Sequence, residues 1–253
     1  MKLILGTISI FLFSLGVYAI EDGETEITTD DGIEVFQNEK YYLLKKNVKI
    51  ISDDFTLNAD DVKINFGDNL YDIIELKAKG NIEFFSKKFE ITGSGEILKF
   101  EVKIEKLKVE GQGSELITKD AEMFSDDFIE INNLNGQFSL RGEGSKLINE
   151  NILIEADEID GVFSNLNNTK QITFLKVFDK ELSFIKNNET KMYAKKINYD
   201  NKTSIIELID NVTIIRNEEK ITGDYGTLDT TNDSYKIKSN KKNKIKVIIQ
   251  NNE

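Results

Sequence analysis

The sequence predicts an elongated, all-β fold, and three features of the chain carry this prediction. Apolar and polar residues alternate with a period of two in many short runs, for example at 48–50 and 100–104. Turn-forming residues, as at 52–54 and 231–233, separate these runs. The 253 residues include no proline, which suits unbroken ladders because proline removes a ladder N–H. Strands of about five to eight residues joined by short turns predict roughly 16 to 20 strands.

A short phrase recurs along the chain, in which a hydrophobic residue and a polar one precede Ala or Gly and usually an acidic or polar residue. The anchors of the five copies are Leu57, Ile91, Ile154, Met192 and Ile221. Three copies follow similar runs that begin with asparagine, at 47–50, 81–84 and 211–214. The gap between Ile91 and Ile154 is nearly double the others, so we expect a divergent copy near Ile117-Thr118. Such recurrence predicts stacked units that bury their apolar faces against their neighbours.

The first 19 residues have the pattern of a secretory signal. Lys2 precedes an apolar stretch, and small residues at Val17 and Ala19 predict cleavage after Ala19. Polar residues such as Thr7 and Ser14 weaken the alternative, an uncleaved membrane anchor. We therefore expect residues 1–19 to be a signal peptide and residues 20–253 to form one domain.

The composition disfavours several classes of function. The chain has 33 basic and 45 acidic residues and a net charge of −12; losing Lys2 with the signal would make it −13. A nucleic-acid partner is therefore not expected, because phosphate binding needs a basic face. The sequence has no Cys, His or Trp, which removes the commonest metal ligands and nucleophile–base pairs. We expect no cofactor and no metal.

Paired aspartates are the remaining candidates for chemistry. They occur at 30–31, 53–54, 60–61 and 126–127, and carboxylate pairs serve in glycosidases and calcium sites. Each pair follows or precedes a strand-like run, where aspartate commonly hydrogen-bonds its own backbone, and no calcium-loop motif accompanies it. Turn formation is the favoured interpretation. An enzyme with a parallel β-helix that uses such pairs on polysaccharide stays open as an alternative, as does a structural or adhesive solenoid.

The alternation places Ile, Leu, Val and Phe on one face of each strand, so we expect these residues to line an interior. A sheet that folds over on itself without closing would form an apolar groove. A lipid chain suits this groove, since each methylene removed from water gains about 0.8 kcal/mol.

Both ends of the chain resemble the OstA-like family, the LptA-type periplasmic lipopolysaccharide-transport proteins. The opening resemblance lies in Glu26-Ile27-Thr28-Thr29-Asp30, in 42–50 and in 55–62; the closing one lies in 210–214, 220–225 and 235–237. This chain is longer than the usual bridge protein of the family by about two repeats. The resemblance implies a twisted, incompletely closed β-jellyroll that carries the acyl chains of lipopolysaccharide inside.

The candidate lipid-binding residues come from two sources. Ile27 and Tyr199 match groove-lining positions of the family. The alternation places the others on the apolar face. They are Val35, Val48, Ile50, Leu57, Phe84, Phe184, Val212, Ile214 and Ile221.

The resemblance also implies a function and partners. It predicts a periplasmic carrier that binds lipopolysaccharide and passes it from the inner to the outer membrane. The edge strands, around Ile27 and at 245–249, would pair with an inner-membrane export complex, an outer-membrane translocon or another copy of the chain. The related inner-membrane-anchored component is the alternative within the same family.

Overall fold

The computed structural model describes residues 24–70, 72–150, 152–166, 169–239 and 244–249. The predicted signal peptide, 1–19, lies outside the described residues. The described residues form 18 strands and one short 3-10 turn, Val102–Ile104, which confirms the all-β prediction and the expected number of strands. The strands are β1 (Thr25–Thr28), β2 (Ile33–Phe36), β3 (Tyr41–Ser52), β4 (Phe55–Phe66), β5 (Ile73–Ser86), β6 (Ile91–Glu101), β7 (Lys106–Glu110), β8 (Ser114–Thr118), β9 (Glu122–Ser125), β10 (Phe128–Asn132), β11 (Gln137–Asn149), β12 (Ile152–Leu166), β13 (Thr169–Asn187), β14 (Thr190–Asp200), β15 (Ile205–Arg216), β16 (Glu219–Asp229), β17 (Ser234–Lys238) and β18 (Lys246–Ile249).

Each long strand bends once near its middle, so its two arms lie in different sheets. The ladder shifts register at the bends, for example between Lys45 and Val48 of β3 and between Ile209 and Val212 of β15. Sheet I contains β1, β8, β9, β18 and the arms that include Ile50, Leu57, Phe84, Ile91, Leu147, Ile154, Ile185, Met192, Ile214 and Ile221. Sheet II contains β2, β7, β10, β17 and the remaining arms.

The bent strands stack into one elongated body. The ten long strands each form one rung, and the pairs β1/β2, β7/β8, β9/β10 and β17/β18 form four more, so the body has fourteen rungs. All pairings in the described residues are antiparallel between neighbouring rungs. At about 4.8 Å per strand, the thirteen spacings span about 62 Å.

The core lies between the two sheets and runs through the stack. Ile91 and Ile154 of sheet I and Leu98, Ile129 and Ile159 of sheet II are at most 1 % exposed. These residues alternate with outward polar residues, as the period of two predicts. The all-β jellyroll expected from the sequence is confirmed.

The recurring phrase marks the first arm of a rung in sheet I. Its anchors, for example Leu57 and Ile154, are buried in the core. The expected sixth copy near Ile117-Thr118 is wrong, because Ile117 faces outward and is 36 % exposed. The equivalent position belongs to Met123 of β9, which is fully buried and lies 32 residues after Ile91 and 31 before Ile154. The sequence pattern does not reveal this copy because Phe124 and Ser125 stand where the phrase has a polar residue and then Ala or Gly.

No helix in the described part of the chain is long and apolar enough to span a membrane.

Candidate functional site

The interior between the sheets is the candidate site, and most predicted lining residues face it. Seven of these residues belong to the buried core: Val48, Ile50, Leu57, Phe84, Val212, Ile214 and Ile221. They stack across neighbouring strands, since Ile50 pairs with Leu57 and Leu57 with Phe84, while Ile214 pairs with Ile221. The alternation therefore predicts their facing correctly. Their contact with lipid stays a prediction.

Two lining residues lie on the first rung, where the core ends. Ile27 pairs with buried Ile50 and packs partly against the core. Val35 pairs with Tyr42, which also packs against the core, but Val35 is 47 % exposed because β2 has a partner, β3, on one side only among the described strands. Both residues therefore line an end of the interior that reaches solvent.

Phe184 is a correction, because it lies on the outer face of sheet I. Its neighbours Ser183 and Ile185 are buried at 0 % and 1 % exposure, so the intervening side chain points outward. There the Phe184 ring packs against Tyr193 with ring centroids 5.0 Å apart. The alternation at 182–184 predicts the wrong inward face because β13 bends between Phe178 and Ser183, and a bend resets which residues face inward.

Tyr199 faces the interior from sheet II, paired with the buried residues Leu175 and Ile206. Its ring packs partly against the core, and its hydroxyl donates to Asn201 Oδ1 at 3.1 Å. Burial, together with the charge of Asp200, raises the pKa of Tyr199. The residue therefore presents a neutral, amphipathic side chain near the end of the strand.

The side opposite the bends is where the turns of the two sheets face each other, and we call it the mouth. Its sheet I turns include 53–54, 87–90, 119–121 and 217–218, and its sheet II turns include 102–105, 133–136 and 230–233. Side chains bridge the mouth in the first half of the stack, where Lys88 Nζ lies 3.1 Å from Glu105 Oε1. Beside it, the rings of Phe89 and Phe100 meet edge to face at 6.2 Å.

Further bridges cross the mouth in the second half of the stack. The Lys170 backbone N–H donates to Asp120 Oδ2 at 3.3 Å. Arg216 donates to the Asp233 backbone oxygen at 3.0 Å and forms a salt bridge with its carboxylate. The hydroxyl of Tyr235 donates to Glu219, which raises the pKa of Tyr235, and burial raises this pKa further.

These bridges are made by side chains and single hydrogen bonds. Among the described strands no residue pairing joins sheet I to sheet II across the mouth, and the two sheets share backbone only at the bends. At the mouth the two sheets are therefore joined by side-chain contacts and not by a ladder, and only in this sense is the jellyroll incompletely closed. Because the bridging contacts are few and partly exposed, the mouth is the weakest line along which the sheets could separate.

The paired aspartates lie at turns and bends. Asp126, at the bend between β9 and β10, accepts a hydrogen bond from the Gly113 backbone N–H at 3.0 Å, and Asp60 accepts from the Asn81 side chain at 3.0 Å. No cluster of three potential metal-ligating acidic residues occurs within the described ranges. The parallel β-helix of the enzymatic alternative is wrong, because every described ladder is antiparallel.

One feature of the site was missed from the sequence. A cavity of about 260 Å³ lies at the turn 133–136, lined by Ile131, Asn133, Leu134, Asn135, Gly136, Phe163, Ser164 and Lys170. An Asn-rich stretch at 132–135 marks a turn in the sequence, and no signal separates a turn asparagine from one that faces a cavity.

Comparison with known proteins supports the resemblance over one part of the chain. Residues 125–234 match the family described as "LptA/(LptD N-terminal domain) LPS transport protein". The match includes the closing segments 210–214 and 220–225 and leaves out the opening segments at 26–62. No curated protein matches the chain.

The solved structures that match the chain include one that is similar to about half of it. It is the crystal structure of LptH, the LptA homologous periplasmic component of the conserved lipopolysaccharide transport device from Pseudomonas aeruginosa. The alignment covers 52 % of this chain and 95 % of that one, with 16 % identity and a TM-score of 0.41. The family model matches 110 of the 253 residues, so residues 125–234 are similar to the LptA/(LptD N-terminal domain) LPS transport proteins.

Proposed function

We propose that the protein is a periplasmic carrier that binds the acyl chains of lipopolysaccharide between its two sheets and passes them from the inner to the outer membrane. The observation that carries this proposal is the apolar interior, which is buried through the twelve inner rungs and is closed along the mouth by a few side-chain contacts of the described residues. The family match at 125–234 agrees with it.

Binding requires the sheets to separate at the mouth. The free energy gained by burying an acyl chain favours this over the free energy of the bridges that must break. An acyl chain of twelve methylenes gains about 10 kcal/mol on leaving water, at about 0.8 kcal/mol per methylene. An exposed ion pair such as Lys88–Glu105 contributes about 0 to 1 kcal/mol. Acyl chains replace the contacts that the two inner faces make with each other, so the hydrophobic gain exceeds the cost of breaking the bridges.

Transfer along the body would use the end rungs. Among the described strands, β1 and β2 pair only with β3, while β17 and β18 pair only with β16. An edge strand can add a strand from another chain. We propose that these edges receive an inner-membrane export complex, an outer-membrane translocon or a second copy, which would extend the interior from one protein to the next. No covalent step is involved, and we propose no enzymatic activity.

A cleaved signal at 1–19 and a single domain at 20–253 belong to the same proposal. N-terminal sequencing of the exported protein tests the cleavage. A chain that begins at Ile20 supports the free periplasmic carrier, and one that begins at Met1 supports the membrane-anchored component.

Photo-crosslinking tests lipid binding. A photoreactive amino acid replaces Ile50, Tyr199 or Ile214, which face the interior, and Lys49 is the matched control because it is exposed next to Ile50. After incubation with purified lipopolysaccharide, the three interior positions should capture the lipid and position 49 should not. Equal capture at interior and exterior positions would disprove the carrier function.

A further inference from the structure

The cavity at the turn 133–136 joins the interior to the mouth. Ile131 and Phe163, which line it, are 3 % and 7 % exposed and belong to the hydrophobic core. Leu134, on its rim, is 63 % exposed. Lys170 is also part of the lining, and its backbone N–H donates to Asp120 across the mouth. A molecule in this cavity would therefore contact apolar core and solvent at once.

The turn that forms the cavity is held firmly in place. Asn132 Oδ1 accepts from the backbone N–H groups of Leu134 and Asn135 at 3.0 and 3.2 Å. Gly136 has a φ of +71°, and a Cβ there would lie 2.0 Å from the Phe163 carbonyl oxygen. Only glycine allows this approach to β12, so the cavity wall has a fixed position.

The carboxamide of Asn133 has no partner. Its Nδ2 and Oδ1 are both buried, and neither has a hydrogen bond within the described residues. The carboxamides of the neighbouring Asn132 and Asn135 are both bonded within the turn. Buried polar groups nearly always have partners, so this buried donor and acceptor beside a cavity are available to bond a group that enters it.

The chemistry of the lining limits what that ligand can be. A carboxamide offers a donor and an acceptor side by side, which suits a sugar hydroxyl or an amide. Lys170 adds a cationic side chain to a chain whose net charge is −12. The buried Ile131 and Phe163 add an apolar floor. The set fits an anionic, hydroxyl- or amide-bearing group that carries a hydrocarbon tail.

We propose that this cavity is the headgroup site for an anionic glycolipid. Asn133 pairs with a hydroxyl or amide of the sugar, Lys170 attracts its phosphate or carboxylate, and the tail passes over Phe163 into the interior. The inference rests on the proposed carrier function and places the headgroup at one rung of the stack.

The test compares binding of a fluorescently labelled lipopolysaccharide with binding of a fluorescent fatty acid that has no sugar. Asn133→Leu should weaken lipopolysaccharide binding about tenfold and leave fatty-acid binding within twofold of wild type. Its melting temperature should be equal or higher, because the leucine removes an unpaired buried amide. Asn58→Leu, on the exposed outer face of sheet I, is the matched control and should change neither affinity. Lys170→Met should also weaken lipopolysaccharide binding selectively.

Competition with soluble fragments identifies the recognised group. Glucosamine 1-phosphate should displace labelled lipopolysaccharide from wild type more strongly than inorganic phosphate does, and this difference should disappear in Asn133→Leu. Equal displacement by phosphate would mean an anion site without sugar recognition and would overturn the role of Asn133.

The failures of the two proposals are distinguishable. If wild type binds both probes and Asn133→Leu binds lipopolysaccharide within twofold of wild type, the headgroup site is wrong and the carrier function stands. If Asn133→Leu loses fatty-acid affinity and melting temperature together, its role is structural and the headgroup site is again wrong. If wild type binds neither probe, both proposals fail.

Discussion

Lys88 of sheet I and Glu105 of sheet II form a salt bridge across the mouth, with Nζ and Oε1 3.1 Å apart. The pair joins the two sheets on the side where no described ladder connects them. Lys88 also lies over the Phe89 ring, 4.6 Å from its centroid, and Phe89 packs on Phe100. The closure therefore combines one ion pair with a small aromatic contact.

Removing this ion pair should ease opening of the mouth with little loss of stability. Lys88→Met is expected to lower the free energy of unfolding by less than about 1 kcal/mol, as is usual for exposed pairs, and to raise the rate of lipid uptake. Urea unfolding and stopped-flow mixing with labelled lipopolysaccharide measure the two effects.

The matched control for this variant is Lys40→Met. Lys40 forms a similar salt bridge with Asp68 at 3.2 Å, but both residues belong to turns of sheet II. Faster uptake in both variants would argue against a specific role for the mouth.

The bends depend on asparagine in the left-handed region, and Asn81 is the clearest case. Its φ is +47°, and its side chain donates to both carboxylate oxygens of Asp60 at 3.0 Å. Asn81→Ala should lower the free energy of unfolding by about 1 to 3 kcal/mol, because alanine tolerates positive φ poorly and the hydrogen bonds are lost.

Asn81→Gly separates the contribution of the backbone conformation from that of the hydrogen bonds to Asp60. Glycine accepts the positive φ but lacks the side chain. Asn81→Gly should therefore lower the free energy of unfolding by less than Asn81→Ala does. Chemical denaturation of the three proteins gives the comparison. An alanine variant as stable as wild type would show that the bend does not depend on this residue.

The same asparagines explain how much of the fold follows from the sequence. Asn47, Asn81 and Asn211 open the three similar runs, and all have positive φ at a bend. Local alternation and turn residues predict the strands, and the recurrence of these asparagines predicts the stack. The bends themselves are harder to locate because a bulge adds residues without changing the polarity of the pattern. The sequence therefore predicts least well which residues face the interior after each bend.

The candidate lining residues follow from the sequence only where the alternation decides which way a side chain faces. Ile50 and Ile214 are recognised because a strand buries alternate residues. Asn133 of the proposed headgroup site is not, because the cavity that it lines also needs Phe163 and Lys170, which lie about 30 residues or more away in sequence and meet it only in the folded stack.

Glu75 should give the protein a pH-dependent contribution to stability. Burial alone would favour its neutral form, but hydrogen bonds from Lys77, Lys99 and Asn65 hold the pKa of Glu75 below its usual value of 4.5. A lowered pKa stabilises the folded state above pH 4.5, and this contribution disappears as the pH falls through the folded-state pKa.

Glu75→Gln should therefore be less stable than wild type at pH 7, and the difference should shrink towards pH 3. Urea unfolding at several pH values measures it. Asp68→Asn serves as the control, since the Asp68 side chain is fully exposed, and should change the unfolding free energy by less than about 0.5 kcal/mol at pH 7. A difference for Glu75→Gln that does not vary with pH would contradict this role.

Phe184 and Ile185 are neighbours on β13 that face opposite sides of sheet I, so the same substitution should affect them differently. Ile185 is 1 % exposed, and Ile185→Ser should cost about 3 kcal/mol or more by leaving a cavity and burying a hydroxyl. Phe184→Ser should cost about 1 kcal/mol, through loss of its packing on Tyr193. A photoreactive group should likewise capture lipopolysaccharide from position 185 and not from 184. Equal stability losses, or capture at 184 alone, would mean that β13 has the phase predicted by the sequence pattern and that the bend between Phe178 and Ser183 does not shift it.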